Sequence, residues 1–262
     1  MRDKQRHLIR AVWAGLMMMA LGAGCATSHT VTQAPSEVTI HTFTRDYANA
    51  FVVVGPGGMF MVDSGLEVND EALAEDLKAE GLDPAALRAI VVTHGHADHA
   101  GGGGYFVETY NTPIVAGGGD AAMLQSGRMD HLCPTGTIAR SRLDEDQSAT
   151  YTPYEASVEV TDAPLDLLPL TGVNARVVPL PGHTEGSLVV VLDGAVFVGD
   201  LFRGAIVGSS AELHFYMCDL EDNRRDIQRL LDQIAPNVET FYPGHFGPVS
   251  RDAVRDRFLT AE

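Results

Sequence analysis

The run Thr93-His94-Gly95-His96-Ala97-Asp98-His99-Ala100-Gly101-Gly102 packs three imidazoles and one carboxylate into six consecutive positions. Ordinary side-chain packing does not ask for three histidines this close together. Imidazole nitrogen and carboxylate oxygen are the usual ligands of zinc and similar borderline metals. The preceding Ala89-Ile90-Val91-Val92-Thr93 is short, apolar and partly β-branched, as in a buried strand. The ligands therefore begin where a strand ends, and Gly95 and Gly101 to Gly104 let the backbone turn tightly there. In layered α/β folds, sites gather at the carboxyl ends of strands.

One loop supplies too few ligands for a metal site, so partners are sought along the chain. His183 follows Ala175-Arg176-Val177-Val178-Pro179, and His245 follows Thr240-Phe241-Tyr242. Asp200 follows Gly194-Ala195-Val196-Phe197-Val198-Gly199. Each is a metal-ligating residue just past a strand-like segment and next to Gly or Pro. Alone, each reads as a loop histidine or a turn aspartate. Three recurrences of one arrangement, with the dense cluster upstream, read as one site.

Taken in order, His94-x-His96-x-Asp98-His99, His183, Asp200 and His245 resemble the ligand pattern of the metallo-β-lactamase-fold hydrolases, over the chain from about Val38 onward. The resemblance implies an α/β fold, a four-layer αββα sandwich whose two sheets meet at the metal site. It implies two divalent ions, zinc first, with iron or manganese as alternatives. His94, His96 and His183 would hold one ion. Asp98, His99 and His245 would hold the other, with Asp200 bridging. Two close cations repel, and an anionic bridge with a hydroxide reduces that cost. The hydroxide is then a nucleophile near neutral pH, because coordination lowers the pKa of water to about 7. Asp98 would orient it and accept its proton. Val62-Asp63-Ser64-Gly65 resembles the family's early Asp motif, in which the carboxylate supports the metal ligands.

Within the family, an aspartate at the bridging position implies glyoxalase II, lactonases and related hydrolases. True β-lactamases carry a cysteine or a serine there, and Cys218 lies too far along the chain to substitute. Little chain follows His245, so the helical C-terminal domain with which glyoxalase II binds glutathione is not expected. With two lysines and a net charge of −17, the chain opposes phosphate-backbone binding, and a nuclease is disfavoured.

Arg2, Lys4, Arg6 and Arg10 precede the apolar Ala11 to Leu21, a stretch too short to span a bilayer and shaped like a secretory signal. It ends in Leu21-Gly22-Ala23-Gly24-Cys25, which resembles a bacterial lipoprotein box. That resemblance implies cleavage after residue 24, lipidation of Cys25, and a periplasmic or outer-membrane location. Gly22 stands where leucine is usual, which leaves simple secretion as the alternative. Residues 25–37 read as a tether and 38–262 as the hydrolase domain. Outside the cytoplasm Cys133 and Cys218 either pair or stay as separate buried thiols.

Strand-like segments near 38–43, 50–54, 58–62, 89–92, 113–116, 175–179, 188–191, 195–198 and 240–242 alternate with helical ones. The clearest helices are 71–80, with Asp70 as its cap, and 220–234, and 251–259 closes the chain. Residues 117–153 and 203–219 read as loops that shape the pocket. The second carries Arg203, His214 and Tyr216, candidate contacts for the substrate or its oxyanion. The reading is an exported dinuclear hydrolase of a small ester, thioester, lactone or amide, touching the membrane only through Cys25 and binding no nucleic acid. Its rivals are a mononuclear iron enzyme like the persulfide dioxygenases, a β-lactamase, and a lipid-anchored metal-binding protein without turnover.

Overall fold

A strand buried at nearly every residue needs cover on both faces, and the computed structural model provides it. It describes residues 27–35 and 37–260; the expected signal segment and Cys25 lie outside them. In β3 (Ala48–Gly55), Phe51 and Val53 point into one apolar cluster while Ala50 and Val52 point into another. The same alternation separates Val62 from Met61 in β4 (Gly58–Val62) and Val91 from Ile90 in β5 (Leu87–Val91). Period-two burial on both faces makes this sheet an inner layer.

Seven strands form the first sheet in sequence order, from β1 (Ser28–Ala34) and β2 (Val38–Arg45) through β3, β4 and β5 to β6 (Ile114–Gly117) and β7 (Val158–Val160). The first four pair antiparallel and the last four parallel. The second sheet has β8 (Leu165–Asp166) and β9 (Arg176–Pro179) at one edge. Next come β10 (Leu188–Leu192) and β11 (Ala195–Gly199), then β14 (Thr240–Pro243) and β15 (Val249–Ser250). A two-stranded ribbon, β12 (Arg203–Gly204) with β13 (Ala211–Glu212), stands beside it.

Three apolar clusters account for four layers. One lies between the sheets, where the Phe51 and Phe197 rings meet at 4.9 Å. A second packs the outer face of the first sheet under α1 (Asp70–Ala79) and α3 (Gly103–Tyr110), using Leu73, Leu77 and Phe106. Between these helices the single turn α2 (Ala97–Ala100) carries part of the histidine cluster. The third packs the other sheet under α6 (Leu220–Arg229) and α7 (Arg251–Phe258), using Ile227, Val254 and Phe258. This is the αββα sandwich that the ligand pattern implies. The segment 117–153 contains α4 (Ala121–Ser126) and α5 (Thr137–Gln147).

Three further local expectations change, besides the helices α4 and α5 in the segment read as loop. Residues 28–34, read as tether, form edge strand β1 and pair in register with Val38 to Thr44 of β2. Their polar side chains hid a strand whose partner is backbone. The cap of α1 is Asn69, after a 3-10 turn over Glu67–Asn69, and Asp70 is the first helical residue. The helix expected over 220–234 is α-helical to Arg229 and closes in a π-turn, Leu230–Ile234, with Ala235 N–H donating to Leu230 O at 2.8 Å.

Phe51→Ala removes a ring on which both sheets rest, and should cost about 3–5 kcal/mol. The expected result is a lower denaturation midpoint at an unchanged m-value in urea unfolding followed by circular dichroism.

Candidate metal centre

Four strand ends deliver the cluster. β5 leads into Thr93-His94-Gly95-His96, and His96 stands at the N-terminus of α2, whose single turn carries Asp98 and His99. His183 follows β9, Asp200 follows β11 directly, and His245 follows β14. Gly244 must be glycine because a Cβ there would overlap the His99 ring and crowd Asp200 Oδ1.

Asp200 is the common point. Its Oδ2 lies 3.3 Å from Nε2 of both His99 and His245, 3.7 Å from His94 Nε2 and 3.9 Å from His183 Nε2. His183 Nε2 is 3.2 Å from His96 Nδ1, and Asp98 Oδ2 is 3.4 Å from His245 Nε2. Ligating atoms of His94, His96 and His183 lie within 4.8 Å of one another, as do those of Asp98, His99 and His245. The structure thus brings the seven residues together as two triads with Asp200 between them.

Several imidazoles are tied at the nitrogen facing away from the cluster. His99 Nδ1 is 2.9 Å from Asp63 Oδ2, His245 Nδ1 donates to Tyr47 O at 2.8 Å, and His96 Nε2 is 2.8 Å from Asp130 Oδ1. Tying the far nitrogen fixes ring orientation and leaves the near one to a ligand. Asp63 also accepts from Thr93 N–H at 2.7 Å and Thr93 Oγ1 at 2.9 Å, which joins the strand end to α2. It holds a left-handed backbone, φ 58°, which Asp tolerates better than most residues.

Burial and neighbouring charges divide the protons unevenly. Burial, reinforced by the surrounding imidazoles, holds His94 and His183 well below the usual histidine pKa. Burial also opposes charge on His99 and His245, but Asp200 and Asp98 outweigh it and raise both, His99 well above the ordinary value. Asp200 is held well below the carboxylate range: burial pushes it up, and His214, His245 and His99 outweigh that push. Among the described residues, His94 Nε2 and Asp200 Oδ1 are buried with no hydrogen-bond partner. Each such orphan costs about 1–3 kcal/mol. Divalent cations among these imidazoles and carboxylates would satisfy them together, so the residues fit the metals that the ligand pattern implies.

A sequence model of the Metallo-beta-lactamase superfamily matches residues 43–245. The chain belongs to this superfamily. It is 23% identical over 207 residues to the "Probable metallo-hydrolase MJ0888" of Methanocaldococcus jannaschii, covering 76% of this chain and 87% of that one. To the "Hydroxyacylglutathione hydrolase" of Anaeromyxobacter dehalogenans it is 29% identical over 159 residues, covering 61% of this chain and 48% of the relative. A solved metallo-β-lactamase with a HARLDQ motif from Cronobacter sakazakii superposes with a TM-score of 0.61 at 20% identity, over 85% of this chain and 79% of that one. As a member of the superfamily the chain is a metal-dependent hydrolase.

The three candidate substrate contacts separate. Arg203 donates to Gly204 O at 2.9 Å and lies over the Phe215 ring at 4.3 Å, away from the metallo-β-lactamase-type cluster. Tyr216 lines the cavity beside the cluster, and its hydroxyl donates to Ala139 O at 3.1 Å. His214 is buried against Asp200, with Nε2 2.9 Å from Oδ2. The cavity, about 240 Å³, opens over His96 and His183. Cys133 and Cys218, which line it, are disulfide-bonded, which settles the open choice between a pair and separate thiols.

Sequence reasoning passed over the residues that bind the ligand loops together. Buried Asp120 accepts from Gly95 N–H at 2.8 Å, Thr184 Oγ1 at 2.7 Å and Gly186 N–H at 2.8 Å, joining the His94 and His183 loops. Asn49 donates from Nδ2 to Pro243 O at 3.0 Å and Phe246 O at 2.9 Å, fixing the His245 loop. Asn223 donates to Gly182 O at 3.2 Å and Leu201 O at 2.7 Å, joining the His183 and Asp200 loops. Asp120 shares with Asp200 its place just past a strand in a glycine-rich run, a signal that would have found it.

Because protons on His99 and His245 compete with a cation, metal loading should release protons, and affinity should fall as pH is lowered. Calorimetric titration in buffers of different ionisation enthalpy reads both effects. Asp63→Asn should weaken metal binding about 10–100-fold while far-UV circular dichroism stays unchanged.

Proposed function

We propose that this metal-dependent hydrolase is dinuclear and cleaves a small ester, thioester, lactone or amide. One observation carries the reading: Asp200 Oδ2 approaches nitrogens of both triads, at 3.7 and 3.9 Å on one side and 3.3 Å twice on the other. A shared anion between two ligand sets is the arrangement that two close cations require. When bound, two zinc ions would supply a lowered pKa for water and a polarised carbonyl.

The chain's own residues do the rest. His94, His96 and His183 would hold one cation, and Asp98, His99 and His245 the other. Asp98 is partly open to solvent, and its carboxylate can take the proton from an attacking water as the new C–O bond forms. The leaving alkoxide, thiolate or amine carries that proton away when its bond to the acyl carbon breaks. Asp200 in place of cysteine or serine, and kinship with hydroxyacylglutathione hydrolases, support an acyl substrate over a β-lactam. The acidic balance supports a small substrate over a nucleic acid.

We also propose export and anchoring through Cys25. The basic and apolar pattern of residues 1–24 supports this reading, as does the disulfide, since such bonds persist in oxidising compartments.

Chelation should abolish turnover on a panel of thioester, lactone, phosphoester and β-lactam substrates, and two zinc equivalents should restore it. Asp98→Ala should lower kcat on the acyl substrate by about 10²–10⁴-fold. Restoration by one iron with oxygen consumption would overturn the reading. Cys25→Ser should move the protein from the membrane to the soluble fraction of cells that export it.

A further inference from the structure

His214 stands outside the two triads yet makes the shortest approach to Asp200. Its Nε2 lies 2.9 Å from Oδ2, nearer than any nitrogen of the triads. With His183 and Asp200 it forms a further triad whose ligating atoms lie within 4.8 Å of one another. Its ring sits 5.0 Å from that of His183 and 5.3 Å from that of His245.

We propose that His214 is an additional metal ligand, acting on the cation held by His183 and Asp200; this rests on the dinuclear reading above. Its far nitrogen is tied as in His245. There Nδ1 donates to Tyr47 O; here Nδ1 is 3.1 Å from Tyr216 O, and that tautomer leaves the Nε2 lone pair for the metal. Tyr216 N–H lies 3.2 Å from the same Nδ1. In the other tautomer it would donate there, Nε2 would carry the proton, and His214 would only position Asp200. The loop is built to hold the ring in place. Thr135 Oγ1 donates to His214 O at 2.7 Å, Thr135 N–H donates to Phe215 O at 2.9 Å, and the Cys133–Cys218 bond closes the loop.

Proton NMR of the cobalt-loaded protein counts ligating imidazoles, because each carries a paramagnetically shifted exchangeable N–H. The wild type should show six, from His94, His96, His99, His183, His214 and His245. His214→Phe should lose one, and one cobalt equivalent should bind about 10–100-fold more weakly in equilibrium dialysis. Five signals in the wild type, kept in His214→Phe, would overturn the assignment, even if affinity falls, since His214 would then act only through Asp200. Failure of the wild type to bind cobalt would overturn the dinuclear reading itself. If His214→Phe does not fold by circular dichroism, the wild-type count decides, with His214→Gln as the second variant.

Discussion

Asp200 is an anion buried at the end of a strand, and burial of a charge is tolerated only when opposite charge surrounds it. Five imidazole nitrogens lie within 3.9 Å of its Oδ2, and they cannot all be protonated without repelling one another. Cations resolve both problems at once. The two-sheet sandwich is the means of bringing this group together, since no single sheet offers strand ends facing one another from both sides. The apolar layer between the sheets therefore sets the ligand spacing, through contacts such as Phe51 on Phe197.

The ligand loops are held by polar side chains that belong to neither triad. Asp63 ties the histidine cluster to its own strand end. Asp120 crosses from the first sheet to the His183 loop, Asn49 from β3 to the His245 loop, and Asn223 from α6 to the Asp200 turn. Each saturates backbone groups that would otherwise be stranded where a strand stops. The candidate metal ligands are thus placed by backbone fixed on both sheets, which keeps them aligned.

Much of this was legible because it is local. The His94–His99 cluster and the Asp63 motif sit within a few residues of apolar strands, and the strands that carry the ligands announce themselves by β-branched runs. What escaped depends on distance along the chain. The partners of Asn49 lie 194 and 197 residues away, and Asp120 reaches Gly186 across 66, so no spacing rule signals them. Edge strand β1 is polar and pairs through backbone alone. Helix α5 buries only Ala139 and shows little apolar face, so it read as loop. The pairing of Cys133 with Cys218 spans 85 residues, and sequence had no means of judging their separation in space.

That disulfide joins two neighbouring segments of the cavity wall, which also pair through Met217 N–H to Cys133 O and Thr135 N–H to Phe215 O. One carries Asp130, which holds His96, and the other carries His214, which faces Asp200. The triads themselves stand on strand ends and need no crosslink. The wall segments lie outside the two large sheets and are held together by this bond, by their backbone pairing and by a small apolar cluster around Leu132 and Tyr216. The surroundings in which the chain matures therefore act on its chemistry unevenly. A thiol-rich environment would leave the strand-borne triads standing while loosening the segments that hold His96 through Asp130 and bring His214 to Asp200, so the edge of the site would give way before its centre.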